Sequence, residues 1–437
     1  MKTEEYRAQI KAPRGRLREV AIGVLFSLFL FLHPADASDE VLNLQDLISE
    51  ALKNNHEILI SETKTAASGF RIPQAKSLPD PLFTFGYQNE GFKQYTYGKD
   101  QMSWYTFSAS QTIPFPGKLS LKGEMASQEA EGFKASYLGT RLMTIEKVKE
   151  LYYDLFLAYK NIDLIRDRSV LFSRIEDAAT ARYSAGMGVQ QEVLMAQTEK
   201  YMLLEKEEML KQKIQSVEAM LNTTVGRDVT SPLGRPVEPV RTELFVTMDE
   251  LLKTHIEHSP FVKEKERMVA AAEAKVKMAE KDYYPDFTLT GSIMPRAGDF
   301  QDMWSLTTTI NIPIFYQTKQ RQAVLEAKAL LSTAEHELQS TKIMLSSTIR
   351  DNYSMTKTAE RLMGLYKDGL IPKTYQDFES ALAGYTSGKV ESITVISRLK
   401  SLLDVETLYW GQFIEREKAI ARLQAIAETT ETGDLQR

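Results

Sequence analysis

Residues 110–119, SQTIPFPGKL, mark an abrupt change in the character of this sequence. An alternating run typical of a β-strand ends in two prolines and a glycine, and the next proline is Pro232. Residues 309–319, TINIPIFYQTK, repeat the same change. Because it occurs twice, we interpret it as a switch from strand to long helix that belongs to the architecture. The switch residues are Pro114, Pro116, Gly117 and Pro313.

The composition excludes several classes of protein. Hydrophobic residues make up 43% and charged residues 26% of the 437 residues, which is typical neither of a disordered chain nor of a polytopic helical membrane protein. The chain contains no cysteine, which excludes disulfides, zinc–thiolate sites, thiol catalysis and lipid attachment at an N-terminal cysteine.

The N-terminal segment has the features of a secretory signal peptide. Six basic residues precede the apolar run 20–32, and an A-x-A cleavage site ends at Ala37. The run is too short to span a bilayer, so we favour a signal peptide over a membrane anchor. Cleavage would leave 48 basic and 55 acidic residues (54 − 6 and 59 − 4), a formal charge of −7. An exported, mildly acidic protein is not expected to bind nucleic acid.

Four pairs of landmarks recur in the same order at an offset near 200 residues, which predicts a duplicated unit. The pairs are Pro81 with Pro285, Trp104 with Trp304, Pro114 with Pro313, and Tyr183 with Tyr385. We therefore divide the chain into a signal peptide (1–37), a first repeat (38–222), a linker (223–247), a second repeat (248–427) and a polar tail (428–437).

Each repeat has the same predicted elements. A helix of about 34 residues (44–77 and 248–282) precedes two strands, a helix of about 68 residues, a glycine turn and a helix of about 37 residues. Two shorter helices end to end match the long one in length, which predicts antiparallel coiled-coil packing. Pro372 lies inside the second long helix and predicts a bend that the first copy, with Val170 at the equivalent position, lacks.

The four predicted strands alternate apolar or aromatic residues with small polar ones. Phe83, Phe85 and Tyr87 alternate with Thr84 and Gln88, and the other three strands show the same alternation. This alternation is typical of a lipid-facing barrel with a wet lumen, although a soluble sheet with one buried face gives the same pattern. The signal peptide favours the barrel. Four strands cannot enclose a pore, so we expect several chains to share it, and three chains would supply twelve strands.

In the order of these motifs, the chain resembles the TolC-type outer-membrane efflux proteins. The motifs are LPDP, SQTIPFPGK, RYSAGMGVQQEVLMAQ and LIPKTYQDFESALAGYTSGKV. The resemblance covers essentially the whole mature chain. SQTIPFPGK and YTSGKVESITVI are most similar to the branch that serves heavy-metal efflux. The resemblance implies a homotrimer with a twelve-stranded outer-membrane barrel continuous with a periplasmic helical barrel. It also implies a periplasmic adaptor and an inner-membrane pump as partners, and passive conduction without catalysis or a cofactor.

The resemblance places two functional regions on this sequence. The helix tips that would meet an adaptor comprise Tyr183, Gly186, Val189, Tyr385, Gly388, Lys389 and Val390. Many family members carry acidic aperture residues six and nine positions after the second glycine turn. Here those positions hold the neutral Thr394 and Ser397, so Glu391 and Glu192 are the remaining acidic candidates.

An enzyme is the less favoured interpretation. No nucleophile elbow, phosphate loop or Ser-His-Asp pattern is recognisable. His255 and His258 have a spacing that could share a metal ion, but no third ligand is indicated and Pro260 follows, so a surface helix end is favoured. A secreted structural coiled-coil protein is the alternative to an export channel. The sequence does not identify the cargo, which could be metal ions, drugs or polypeptides.

Overall fold

The computed structural model describes residues 41–244 and 247–427. The predicted signal peptide, its cleavage at Ala37 and the tail 428–437 therefore lie outside the described residues. The helices are α1 (Leu44–Asn54), α2 (His56–Lys76), α3 (Lys118–Ser184), α4 (Gln190–Val225), α5 (Met248–Glu250), α6 (Ile256–His258), α7 (Pro260–Lys281), α8 (Gln320–Gly364), α9 (Ile371–Thr386) and α10 (Ser392–Ala427). Two π-helical segments, π1 (Leu251–His255) and π2 (Leu365–Leu370), link α5 to α6 and α8 to α9.

The predicted strands are present and form one antiparallel sheet. They are β1 (Leu82–Gln88), β2 (Trp104–Ile113), β3 (Phe287–Met294) and β4 (Met303–Ile310). Their order in the sheet is β1-β2-β3-β4, so each repeat contributes one hairpin and the two hairpins join through β2 and β3. Within this sheet β1 and β4 are the edges, each with one side of its backbone unpaired by the other described strands.

The strand register collects the apolar side chains on one face. Phe85 lies opposite Phe107, and Phe107 lies opposite Ile293, which in turn lies opposite Trp304. Side chains alternate between faces along a strand, so all four apolar sets share this face. The serines and threonines of the strands share the other face, except Thr308, which lies opposite Leu289. Phe83 and Trp304 are 82% and 78% exposed in the single chain, so the described chain leaves much of this face uncovered. At one end of the face the rings of Tyr95 and Tyr97 pack against Tyr87 and Tyr105.

The same register corrects two of the sequence landmarks. Trp104 pairs with Gln88 on the polar face, whereas Trp304 lies on the apolar face, so Tyr105 and not Trp104 is the counterpart of Trp304. Pro79 and not Pro81 matches Pro285, an offset of 206 (285 − 79). Shifting the observed pair Leu82–Ser110 by 206 and 199 gives Thr288 opposite Thr309, which is the pair found in the second hairpin.

The long helices pack as predicted, but the short ones are divided. Helices α2 and α4 both lie along the 67-residue α3, and α7 and α10 both lie along α8. The predicted 34-residue helices are each broken, at Asn55 and at Ser259. The Asn55 side chain caps α2 by accepting hydrogen bonds from the amides of Glu57 and Ile58, and it donates one to the carbonyl of Thr224 at 2.7 Å. Pro260 starts α7 in the second repeat.

Pro372 interrupts the second long helix near the predicted position. Helix α8 ends at Gly364, π2 follows, and α9 begins at Ile371 with the proline in its first turn. Proline has no amide to donate, and its ring crowds the carbonyl four residues earlier; the wider π turn accommodates both effects. The first copy has no such interruption, because α3 runs unbroken through Val170. An unequal bend of the two copies stays a prediction.

A buried ionic cluster fastens the linker to the helices. The guanidinium of Arg416, 1% exposed, bonds to the carboxylates of Glu417 and Glu360 and donates to the carbonyl of Thr242 at 2.8 Å. The amide of Thr242 donates in turn to Glu417 at 3.2 Å. Burial would raise the pKa of Glu360, but hydrogen bonds from Arg416 and Lys357 outweigh it and leave that pKa below its usual value. The linker backbone is thus held by side chains of α8 and α10.

We predict that Arg416→Ala destabilises the protein by about 3–5 kcal/mol, because it leaves the buried carboxylates without their cation. Arg398→Ala is the control: its partner Asp377 and Arg398 itself are about half exposed, so the expected loss is below about 1 kcal/mol. Denaturant midpoints of the detergent-purified proteins measure the difference. Since the pKa of Glu360 is lowered, its contribution is present above its unfolded pKa of about 4.3 and is lost as the pH falls through the folded value. Equal midpoints for both variants would contradict the role of the cluster.

Candidate functional site

The turns between α3 and α4 and between α9 and α10, which we call the helix tips, have the same local structure. Helix α3 ends at Ser184 and α4 begins at Gln190; α9 ends at Thr386 and α10 begins at Ser392, an offset of 202 in both cases. Gly186 and Gly388 take φ values of 70° and 75°, the left-handed region that glycine enters without steric cost. The next amides, of Met187 and Lys389, donate back to the helices at 2.9 and 2.8 Å and close each turn.

Most of the tip residues named from the sequence are exposed. Tyr183 and Val189 are 47% and 61% exposed, Lys389 is exposed, and Val390 is half-buried against the core of the tip. Tyr385 is the exception, because its side chain is fully buried. The expectation that Tyr385 flanks an outer contact surface is therefore wrong. Its ring belongs to the packing that holds the two turns together.

Arg182 joins the two tips, a role that the sequence analysis did not assign. Its guanidinium donates to the carbonyl of Tyr385 at 3.1 Å and lies 5.0 Å from the centre of the Tyr385 ring. A second nitrogen donates to the carbonyl of Met187 at 3.4 Å. One cation from the first repeat thus bonds to the turns of both repeats. Its only sequence signal is its place at the start of the motif RYSAGMGV.

The aperture candidates fall into two groups. Glu192, in the first turn of α4, lies beside the hydroxyl of Tyr385, and burial together with this carboxylate raises the pKa of Tyr385. The hydroxyl therefore stays protonated throughout the physiological range. Glu391 and Ser397 are exposed, whereas Thr394 is half-buried. Glu391 directly precedes α10, and Thr394 and Ser397 lie in its first two turns. Only Glu192 is brought to the contact between the tips.

The strand-to-helix switch lies at the opposite end of α3. Strand β2 ends at Ile113, directly before Pro114, and α3 begins at Lys118 after Gly117, whose φ is 94°. In the second repeat β4 ends at Ile310, and a turn containing Pro313 leads to α8 at Gln320.

Lys118, the last residue of the motif SQTIPFPGK, connects the two repeats at this junction. Its ammonium group is buried between the carboxylates of Asp282 and Asp286, at 3.2 and 3.0 Å, and donates to the carbonyl of Tyr284 at 3.1 Å. Beside it the rings of Phe115 and Tyr284 stack with their centres 4.5 Å apart. Sequence reasoning missed this cluster because its partners are more than 160 residues apart.

Across 41–244 and 247–427, no His, Cys, Asp and Glu side chains gather in a group of three or more suited to a metal ion. The side chain of His255, the other half of the pair considered from the sequence, lies outside the described residues. Within the same ranges, none of the helices combines the length and the hydropathy needed to cross a bilayer.

We predict that Arg182→Met loosens the tips by about 1.5–3 kcal/mol, because the guanidinium makes charge-assisted hydrogen bonds to both turns. Hydrogen exchange of the amides in residues 385–390 should become correspondingly faster. The matched control is Arg174→Met, which removes an exposed arginine from the same helix. Unchanged exchange in the Arg182 variant would show that the two tips are held by packing alone.

The sequence matches a known protein family and several curated relatives. The model of the family described as outer membrane efflux protein matches residues 47–227 and 251–409. The cobalt-zinc-cadmium resistance protein CzcC of Cupriavidus metallidurans is 20% identical over 395 residues, covering 88% of this chain and 90% of the relative. The cation efflux system protein CusC of Escherichia coli K12 is 21% identical over 360 residues, covering 75% and 78%.

Solved structures share the fold at low sequence identity. The outer membrane protein VceC of Vibrio cholerae superimposes with a TM-score of 0.75 at 17% identity, covering 88% of this chain and 96% of that one. The CmeC outer membrane channel of Campylobacter jejuni gives a TM-score of 0.75 at 16% identity, covering 90% and 88%.

Proposed function

The chain belongs to the outer membrane efflux protein family, and on that premise we propose that three copies form the exit duct of a tripartite heavy-metal efflux pump. The family consists of passive outer-membrane channels, so the protein is not an enzyme. The observation that carries the proposal is the four-stranded sheet, which has an exposed apolar face, a hydroxyl-lined face and two open edges.

The sheet supports a barrel shared among chains. In a bilayer every backbone polar group needs a partner, so an open sheet with two free edges is stable there only when its edges are closed. Four strands enclose no channel, whereas twelve do. Three copies give twelve strands, with the apolar face in contact with lipid and the other face lining the pore.

The pore-facing side of the four strands is uncharged. Its side chains include eleven hydroxyls and, within the strands, no Asp, Glu, Lys or Arg. The hydroxyl residues are Thr84, Thr106, Ser108, Ser110, Thr112, Thr288, Thr290, Ser292, Ser305, Thr307 and Thr309. Such a wall offers weak, interchangeable hydrogen bonds to water and to hydrated solutes, and holds none of them by charge. This suits a duct that conducts without selecting.

The helical part supplies the reach toward the pump. The 67 residues of α3 span about 100 Å at 1.5 Å per residue, far beyond the thickness of a bilayer. The tips would dock on a periplasmic adaptor through Tyr183, Gly186, Val189, Gly388, Lys389 and Val390. Glu192, Tyr385 and Arg182 would hold the aperture in shape behind that surface, with Glu391, Thr394 and Ser397 nearer its opening. The signal peptide, cleaved after Ala37, would direct the chain to the outer membrane.

Heavy-metal cations are the cargo class that we favour. CzcC, which matches 88% of this chain, is named for cobalt, zinc and cadmium resistance, and CusC, which matches 75%, is named for cation efflux. Relatives named for antibiotic and for toluene efflux match 44% of the chain. Expression in a host that lacks its own outer-membrane component tests this, with growth measured on cobalt, zinc, cadmium, copper and silver salts. Protection against antibiotics without protection against metals would overturn the cargo class but not the channel.

We predict that Leu289→Arg costs about 2–4 kcal/mol near the bilayer midplane and lowers the yield of assembled protein in the outer membrane, because Leu289 lies on the apolar face. Thr290→Arg, one residue further along the same strand, is the control: it faces the pore, and we expect normal assembly with reduced conductance. Heat-modifiable bands in outer-membrane fractions report assembly. If both variants assemble equally well, the assignment of faces is wrong.

We predict that Gly388→Asp assembles in the outer membrane but abolishes export, because a side chain at a φ of 75° distorts the exposed turn. Gly364→Asp is the control, since Gly364 lies within α8 in open space and has no left-handed φ. Cross-linking of the adaptor to Lys389, run beside the efflux assay, measures docking. Normal export by the Gly388 variant, with adaptor cross-links only near the barrel, would show that the tips are not the docking end.

A further inference from the structure

The duplicated sheet contains a template for the contact between neighbouring chains. Within one chain, β2 of the first repeat pairs with β3 of the second. If chains are arranged around a ring, β4 of the second repeat meets β1 of the next chain, which is the same kind of contact with the repeats exchanged. The geometry points to a defined register for this seam, and the inference rests on the proposed trimeric channel.

The offsets between the repeats come from two pairs of prolines that flank the strands, and the pairing in the sheet tests them. Strand β1 corresponds to β3 at an offset of 206 (285 − 79), and β2 corresponds to β4 at 199 (313 − 114). These two values convert the first hairpin into the second, since Leu82–Ser110 becomes Thr288–Thr309. The landmark offset of 204 from Pro81 would place residue 286 opposite Thr309, two residues out of register. The observed pairing fixes the sum of the two offsets at 405 (597 − 192), so with 199 for β2 and β4 it selects 206 for β1 and β3.

The same offsets applied to the β2–β3 contact give the seam. The observed pair Ser110–Thr290 becomes Thr309 opposite Thr84 of the partner subunit. The observed pair Gln111–Leu289 becomes Ile310 opposite Phe83 of the partner subunit. We propose that three chains close the barrel in this register.

The faces of the sheet provide an internal check. The derived pairs place Ile310 and the partner's Phe83 together on the apolar face, and Thr309 and the partner's Thr84 together on the hydroxyl face. A register shifted by one residue would bring an apolar side chain into line with the pore. The exposed fractions agree, because Phe83 and Ile310 are 82% and 48% exposed in the single chain.

The residues just below the seam support the same register. Within one chain, Phe115 stacks on Tyr284 at the junction of sheet and helices. The offsets convert this contact into Ile314 against Leu78 of the partner subunit. In the single chain the apolar side chains of Ile314 and Leu78 are 73% and 52% exposed. Seating them on each other removes both from water.

The two kinds of junction then differ in chemistry. Inside one chain, Lys118 forms salt bridges with Asp282 and Asp286. At the seam the offsets put Gln317 in the place of Lys118, opposite Asp80 of the partner subunit, and Lys76 of the partner subunit in the place of Asp282. The contact between chains therefore lacks the buried lysine that bridges two carboxylates within a chain.

Disulfide formation tests the register, because the natural chain has no cysteine. The double variant Thr84→Cys/Thr309→Cys places the new thiols in register on the hydroxyl face. Strands β1 and β4 of one chain are three spacings apart, about 14 Å, so the bond cannot form within the sheet of a single chain. Oxidation should convert the protein into a covalent trimer on non-reducing gels, and each single variant should give no covalent trimer.

The matched controls are displaced by two residues on the same face. In Gly86→Cys/Thr309→Cys and Thr84→Cys/Thr307→Cys the Cα atoms would be about 8 Å apart, beyond the reach of a disulfide. We expect these pairs to react at least about tenfold more slowly than the in-register pair. Gly86→Cys/Thr307→Cys is a second in-register pair that should react as fast as the first, and it keeps the test decisive if one variant assembles poorly.

The outcomes separate the register from the proposed function. Fastest cross-linking in a displaced pair, in a trimer that still exports, would overturn the register and leave the channel intact. Absence of trimers from the outer membrane for the cysteine-free parent would instead overturn the proposed function.

Discussion

The structure depends on one constraint, which is that the backbone groups at the edges of a lipid-facing sheet must find partners. A single chain presents four strands with an apolar face and leaves one side of β1 and one side of β4 without a strand partner in the described structure. Hydrocarbon offers no hydrogen bonds, so neither edge can be left open in a bilayer. In the proposed trimer, closure among chains would satisfy the edges and enclose a pore at the same time. Trimer formation and channel formation would then be one event.

Three contacts hold the chain together between the sheet and the helix tips. The ammonium of Lys118 holds the start of α3 against the end of α7 and against Asp286, directly before β3. The linker is held by Arg416 midway, and Arg182 joins the two tips at the far end. Each of these contacts connects the first repeat, or the linker, to the second. The duplicated halves therefore act as one unit along the length of the molecule.

Much of this architecture is readable from local sequence, because proline, glycine and strict alternation act over a few residues. Pro114 stands directly after a strand, and Gly186 and Gly388 mark both tips. The pairing of Trp104 with Trp304 was predicted wrongly, since an identical residue in both repeats suggested an equivalence that the strand register excludes. The break at Asn55 depends partly on Thr224, and the burial of Tyr385 depends on Arg182; both partners are far away in sequence. Local patterns carry no information on such contacts.

The most direct measurement of the central claim is a density map of the full-length protein purified into lipid nanodiscs. The account predicts three chains around one pore, twelve strands crossing the lipid, and the side chains of Phe83, Phe107 and Trp304 directed at the acyl chains. A particle in which these side chains are buried against protein, or in which each chain keeps a separate four-stranded sheet outside the lipid, would contradict it.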